Sequence, residues 1–318
     1  MNLDLPVLLV IHRRPAATGR VFETIAAAQP RRLFIAADGP ASPSDRKACD
    51  ETRAVVRNIE WPCEVAHDFS ESNLGLNRRM ISALDWVFRD SEAAIVLEDD
   101  CLPHPHFFRF CASMIDRYRG DPRIVHVSGE CYRGEPPGED SYFFSKYPLA
   151  WGWATWRRAW RLFDPEMTSW PHFRTQPAAR GLFDSDDERS YWMSTFDVLH
   201  REQSAGRMVS WDYAWYYACM THGLSIHPAV NLVANIGSGP LASHTHDLGD
   251  LSNRPIEPLK EPFRHPASLV RDREADQDTF DRRFPGGLLK RQRSFAHQIG
   301  RPARWALRLV RGLRGGTR

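Results

Sequence analysis

Two rhythms of apolar residues alternate along the first third of the chain. Residues 6–11 are a short, continuous apolar run rich in β-branched side chains, the pattern of a strand buried on both faces. Runs at 32–37, 64–66 and 93–97 predict three more strands. Between them lie residues 21–28, 45–58 and a stretch from Asn73 to Phe88. All three read as helices, and in the last Met80, Leu84 and Val87 recur on one face. Strands alternating with helices predict βαβ units and an α/β fold with a mixed, mostly parallel sheet flanked by helices. Such sheets bind ligands at the carboxyl ends of their strands. Three polar groups fall there: Arg13 and Arg14 after the first strand, Asp38 after the second, and Glu98-Asp99-Asp100 after the fourth.

The second half is less regular. Residues 123–128 predict a strand and 133–141 a Gly/Pro/Glu loop. Residues 151–160 are rich in tryptophan, with Trp156 and Trp160 spaced to share a helix face. Residues 188–203 and 212–222 read as helices, 228–236 as a strand, and 237–253 as a polar Gly/Ser/His loop. Five prolines in 254–286 predict an extended surface segment. No internal repeat is found. No run approaches 18 apolar residues, so no spanning helix is expected, and the start of the chain lacks the pattern of a secretory signal.

Composition changes this picture in two places. The six cysteines form no C-x-x-C pair, so free thiols and a cytoplasmic location are expected. From Arg282 onward there are 11 basic residues and no acidic one, so the rest of a chain of net charge +2 stands at −9. Arg301, Arg304, Arg308 and Arg311 recur at helical spacing opposite Ala303, Leu307 and Val310. This basic amphipathic pattern suits peripheral contact with an anionic membrane surface, or else a solvated tail.

The acidic triplet carries the clearest chemistry. Adjacent carboxylates repel unless a cation joins them, and Mg²⁺ or Mn²⁺ takes one or two carboxylates plus phosphate oxygens. Capping of the helix that starts near Pro103 and His104 is the alternative. Arg13 and Arg14 suit phosphate, or form a solvated loop. Asp38 suits ribose hydroxyls, or a strand-end turn. Arg78 and Arg79 begin a helix beside the same edge. Tryptophans 151, 153, 156 and 160 suit a sugar-stacking wall, or core. Asp212, between Trp211 and Tyr213, suits a general base, or a helix N-cap. His244 and His246 suit phosphate or metal, or no role, in a loop whose Gly237 and Gly239 suggest a lid. No GxGxxG or Walker A pattern is present, against dinucleotide and P-loop chemistry.

In this order and spacing the motifs resemble the GT-A glycosyltransferase fold. More narrowly, residues 6–246 are similar to N-acetylglucosaminyltransferase I and to bacterial relatives loosely labelled haemolytic. The resemblance implies a nucleotide-diphospho-sugar transferase. Asp100 would ligate Mn²⁺ or Mg²⁺, and Glu98 and Asp99 would face the donor sugar and ribose. Arg13 and Asp38 would hold diphosphate and nucleoside. Arg79 stands where the family has a nucleotide-side histidine. Asp212 falls in an element carrying the family's catalytic base, though this chain keeps one of its two aspartates. His244 continues a loop that orders over the donor. The implied activity is inverting, metal-dependent transfer from a UDP-sugar, UDP-GlcNAc first, to a hydroxyl of a glycan or lipid-linked acceptor. No nucleic-acid partner is expected. The expected domains are a catalytic unit over 1–253, with a nucleotide half to about 130 and an acceptor half over 131–253. A Pro-rich extension and basic tail follow over 254–318. Two rivals are a sugar nucleotidyltransferase and a non-catalytic sugar- or membrane-binding protein.

Overall fold

A computed structural model describes residues 3–134, 138–237, 251–284 and 286. The first strand, β1 (Val7–Ile11), is buried throughout. It leads into α1 (Pro15–Ala28), whose Pro15 supplies a helical φ at the first turn. Then follow β2 (Arg32–Ala37), α2 (Arg46–Val55), β3 (Glu64–Phe69), α3 (Leu76–Asp90), β4 (Ala93–Glu98), the short β5 (Cys101–Pro103) and α4 (Pro105–Arg117). The second half runs β6 (Ile124–Ser128), β7 (Tyr142–Ser145), β8 (Trp153–Trp156), α5 (Arg157–Trp160), α6 (Trp170–Phe173), α7 (Pro177–Gly181), α8 (Asp186–Ser204), α9 (Trp211–His222), β9 (Leu224–Pro228), β10 (Val233–Asn235) and α10 (Arg273–Arg283).

Eight strands form one sheet in the order β3-β2-β1-β4-β8-β6-β9-β7. The β1–β4 pairings are parallel, as is β6–β9, while β8 and β7 run the other way. This is the mixed, mostly parallel sheet flanked by helices that the periodicity predicts. Successive strand residues point to opposite faces. Val7, Leu9, Ile11, Leu33, Ile35, Ile95 and Leu97 pack beneath α1 and α4. Leu8, Val10, Phe34, Ala36, Ala94 and Val96 pack beneath α3 and α9. Each buried Val, Leu, Ile or Phe among them contributes about 1.5–3 kcal/mol by leaving water. A third apolar cluster joins α6, α8, α9 and α10.

Four expectations change. Trp153–Trp156 is a strand wedged between β4 and β6, so Trp156 and Trp160 do not share a helix face. The run expected at 228–236 splits into the end of β9 and a separate β10. β7 lies just past the expected Gly/Pro loop and pairs with β9. Within 254–286, Arg273–Arg283 is a helix with Ala275, Asp276, Thr279 and Phe280 buried. All six cysteines are free, and no described helix is long and apolar enough to cross a membrane. The tail from residue 287 lies outside the described residues, and with it the basic amphipathic pattern.

Candidate functional site

The acidic triplet sits where β4 ends beside β1. Leu97 is buried, Glu98 closes the strand, and Asp99 and Asp100 form the turn into β5. Neither aspartate caps α4, because β5 intervenes and His104 takes the cap, accepting from the His106 N–H at 3.1 Å. Arg14, at the entry to α1, binds both aspartates through one nitrogen. Its Nη1 donates to Asp99 Oδ1 at 2.9 Å and to Asp100 Oδ2 at 2.7 Å. Asp99 Oδ2 also accepts the His12 N–H at 3.0 Å. Burial raises all three acids. Glu98 is pushed well above the carboxylate range by burial first, then by the charges of Asp100, Asp99 and Asp212. Burial also raises Asp99 against the pull of Arg14, and takes Asp100 up to about 6, helped by Asp99 and opposed by Arg14.

A cavity of about 230 Å³ opens beside the triplet, lined by His12, Arg13, Asp38, Arg79, Glu98 and Asp99 among others. Arg13, Asp38, Arg79, Glu98 and Asp99, all expected on the donor side, meet at this cavity, and Asp100 adjoins it on the same turn. Their attachments differ from the simplest expectation. Arg13 reaches away to Asp45 at 2.6 Å, so the guanidinium on the triplet is that of Arg14. Asp38 accepts from the N–H groups of Gly39, Leu74 and Gly75 and from the Asn73 amide, at 2.8–3.1 Å. Four such bonds fill a carboxylate's acceptor capacity. Asp38 therefore holds the turn into α3 in place. Arg79 is buried on α3, bound to Asp68, with its Nε unpartnered. Burial lowers the His12 imidazole, against the charge of Asp38.

Asp212 approaches from the second half. It lies in the first turn of α9, where a helix N-terminus favours negative charge. It is not the cap: Ser210 holds that position, accepting from the Tyr213 N–H at 3.2 Å and donating to Asp212. Asn77 of α3 fixes this turn, donating to Met208 O and accepting from the Trp211 N–H, both at 3.0 Å. Asp212 is close enough for its charge to raise Glu98. Tryptophans 153, 156 and 160 are buried core and offer no stacking wall.

β10 runs antiparallel to β5, Asn235 opposite Cys101, and the Ile236 N–H donates to Asp100 O at 2.8 Å. Gly237 is thereby pressed against the Asp100 carboxylate. The Asn253 N–H donates to Asn235 O at 2.8 Å, so both stems of the next loop meet beside the triplet. The loop, with Gly239, His244 and His246, lies outside the described residues. The sequence pattern ranks Arg13 with Arg14, marks Gly237 only as a lid glycine, and gives no part to His12, Asn73 or Asn77. Only the strand-end position of His12 signalled its part.

A divalent cation fits the chemistry here. Asp99 and Asp100 share one guanidinium, that of Arg14, and Glu98 precedes them on the strand, so three carboxyl groups are gathered around a single cation. No group of three or more His, Cys, Asp or Glu that could hold a metal is found among the described residues. A cation would therefore share Asp100 with oxygens of a bound ligand, the usual arrangement for Mg²⁺ on phosphates. A larger hollow of about 690 Å³ lies at the opposite ends of β1 and β4, lined by Pro6, Arg32, Glu92 and Arg158 among others. It is far from the triplet and from the strand ends where such sheets bind ligands.

No family model matches the chain, and no curated protein matches it. Among solved structures, UDP-glucose pyrophosphorylase complexed with UDP-glucose aligns at 11% identity over 50% of this chain and 79% of its own, with a TM-score of 0.30. The apo form of mouse xyloside xylosyltransferase 1 aligns at 10% identity over 68% and 81%, with a TM-score of 0.33. The 4-diphosphocytidyl-2C-methyl-D-erythritol synthase from Anaerococcus prevotii aligns at 7% identity over 61% and 84%, with a TM-score of 0.30. Likenesses this distant carry no function across.

Proposed function

We propose that the chain is a GT-A glycosyltransferase that moves a sugar from a UDP-sugar, UDP-GlcNAc first, to an acceptor hydroxyl with inversion. The observation that carries this reading is a cavity at the strand ends that the acidic triplet and Arg14 adjoin. Glu98, Asp99 and Arg14 line the cavity, Asp100 follows on the same turn, and the charge of Asp212 in the first turn of α9 is felt at Glu98. The nucleoside would enter the cavity, its wall kept in shape by the turn that Asp38 organises. Asp100 would hold Mn²⁺ or Mg²⁺ jointly with the diphosphate, and the bound ion would supply positive charge to the leaving group. Arg14 would add its own. Asp212 would take the proton of the acceptor hydroxyl. That oxygen bonds to the anomeric carbon as the bond from carbon to the diphosphate oxygen breaks, and the electron pair leaves on UDP.

Calorimetric titration of UDP tests the donor site, in Mn²⁺ and in EDTA, with wild type and Asp100→Ala. Binding is expected to need both the metal and Asp100. Equal affinity in all four conditions would sink the shared-ion reading. Asp212→Asn is expected to lower kcat for transfer by about 10²–10⁴-fold while UDP binding persists. Near-normal turnover in that variant would remove Asp212 as the base. Release of pyrophosphate from UTP and a sugar 1-phosphate would make the chain a nucleotidyltransferase instead.

A further inference from the structure

Arg14 stands where an arriving cation must bind. Its Nη1 lies 2.7 Å from Asp100 Oδ2, on the residue that would take a metal, and 2.9 Å from Asp99 Oδ1. The guanidinium is not a loose surface group. Its side chain is 14% exposed, against 6% and 10% for the two aspartates. Its own carbonyl is tied into α1, accepting from the Thr18 N–H at 2.9 Å and the Thr18 hydroxyl at 2.8 Å. Gly237 closes one side of the Asp100 carboxylate, so the aspartate has little freedom to turn toward a second cation. The neighbouring Arg13 is engaged with Asp45 instead.

We propose that Arg14 makes metal binding conditional on the nucleotide diphosphate, a coupling that rests on the donor-site reading above. Without nucleotide, a divalent ion at Asp100 would crowd a guanidinium that is always charged, and like charges in a shielded site repel strongly. A diphosphate changes both terms. Its oxygens complete the ion's coordination, and they give the guanidinium anionic partners that replace Asp100. Ion and diphosphate then enter together, and each raises the other's affinity by the same factor. Arg14 so occupies the Asp99 and Asp100 carboxylates in the resting protein, and a bare metal would have to displace it.

The experiment is Mn²⁺ binding to the full chain, read by loss of the free-ion electron paramagnetic resonance signal, with and without saturating UDP. Wild type is expected to bind Mn²⁺ about tenfold or more tightly with UDP than without. Arg14→Met should bind Mn²⁺ alone more tightly than wild type, and UDP should add less. Arg14→Lys keeps the charge and should bind Mn²⁺ alone as weakly as wild type, so a general loosening of the fold is told apart from loss of charge. Wild-type affinity that is the same with and without UDP would overturn the coupling. So would an Arg14→Met protein whose affinity for Mn²⁺ alone is unchanged or weaker. The second result leaves the donor-site reading standing, whereas the first, by reciprocity, would also remove its shared ion. If no Mn²⁺ binds to any of the proteins even with UDP, that reading falls, and the coupling with it.

Discussion

Gly237 shows how narrowly single residues shape this site. A Cβ at that position would overlap the Asp100 carboxylate, and a carboxylate fixed by Arg14 and by its own strand cannot yield cheaply. Gly237→Ala is therefore expected to leave the fold intact and to weaken Mn²⁺-dependent UDP binding about tenfold, or ~1.4 kcal/mol. Calorimetric titration of the variant checks this, and unchanged affinity would mean that the Asp100 geometry tolerates displacement. Asp38 acts at the same scale by a different route. It spends its carboxylate on the backbone of the turn before α3, so whatever it does for a nucleoside it does through that turn.

At the scale of elements, β8 is the most consequential departure from the sequence pattern. Tryptophans three and four apart look helical when their spacing alone is read. In a strand, residues three apart face opposite sides, and Trp153 and Trp156 do enter opposite cores. Trp153 stacks on His126 at 5.0 Å and on Trp211 at 6.0 Å. Trp153→Ala should cost about 3–5 kcal/mol of stability, measured by denaturant unfolding. Because Trp211 begins α9, the same change should disturb Asp212 and lower turnover. A stable variant with normal turnover would mean that α9 is positioned by Asn77 alone. α10 was hidden differently: its buried positions recur at helical spacing, but the prolines before it suggested extended chain.

Across the whole molecule, α10 is fastened to the second half by a buried ionic network. Lys146 lies 2.6 Å from Glu188 and 3.1 Å from Asp184, while Arg271 and Arg273 also bind Asp184. Asp276 of α10 accepts from the Ser145 hydroxyl at 2.6 Å and faces Arg271 at 3.3 Å. Burial nevertheless outweighs Lys146 and Arg271 and takes Asp276 from its ordinary 3.8 up to about 7. The folded chain thus holds this proton more tightly than the unfolded chain. Its contribution to stability is fully present below about pH 4, declines as pH rises, and is gone above about pH 7. Thermal unfolding at pH 5 and pH 8 should show wild type losing more stability over that interval than Asp276→Asn. Equal losses would mean that the network accepts the charged form without penalty.

The sequence by itself determined the first four strands, the helices between them and the acidic triplet at the end of β4, because these depend on neighbours along the chain. Apolar runs and helical repeats are local, and a strand that runs into three carboxylates is visible without knowing its surroundings. The same holds for Asp212, set off between aromatic residues. Only the tertiary structure decided which arginine meets the triplet. Arg14 and Asp100 are 86 positions apart, and the turn into α1 sends Arg13 elsewhere. It also decided that Asn77 positions Trp211, 134 residues away, and that β10 brings Gly237 against Asp100. β8 became a strand because β4 and β6 offered it edges to pair with, and edge pairing is a property of the assembled sheet.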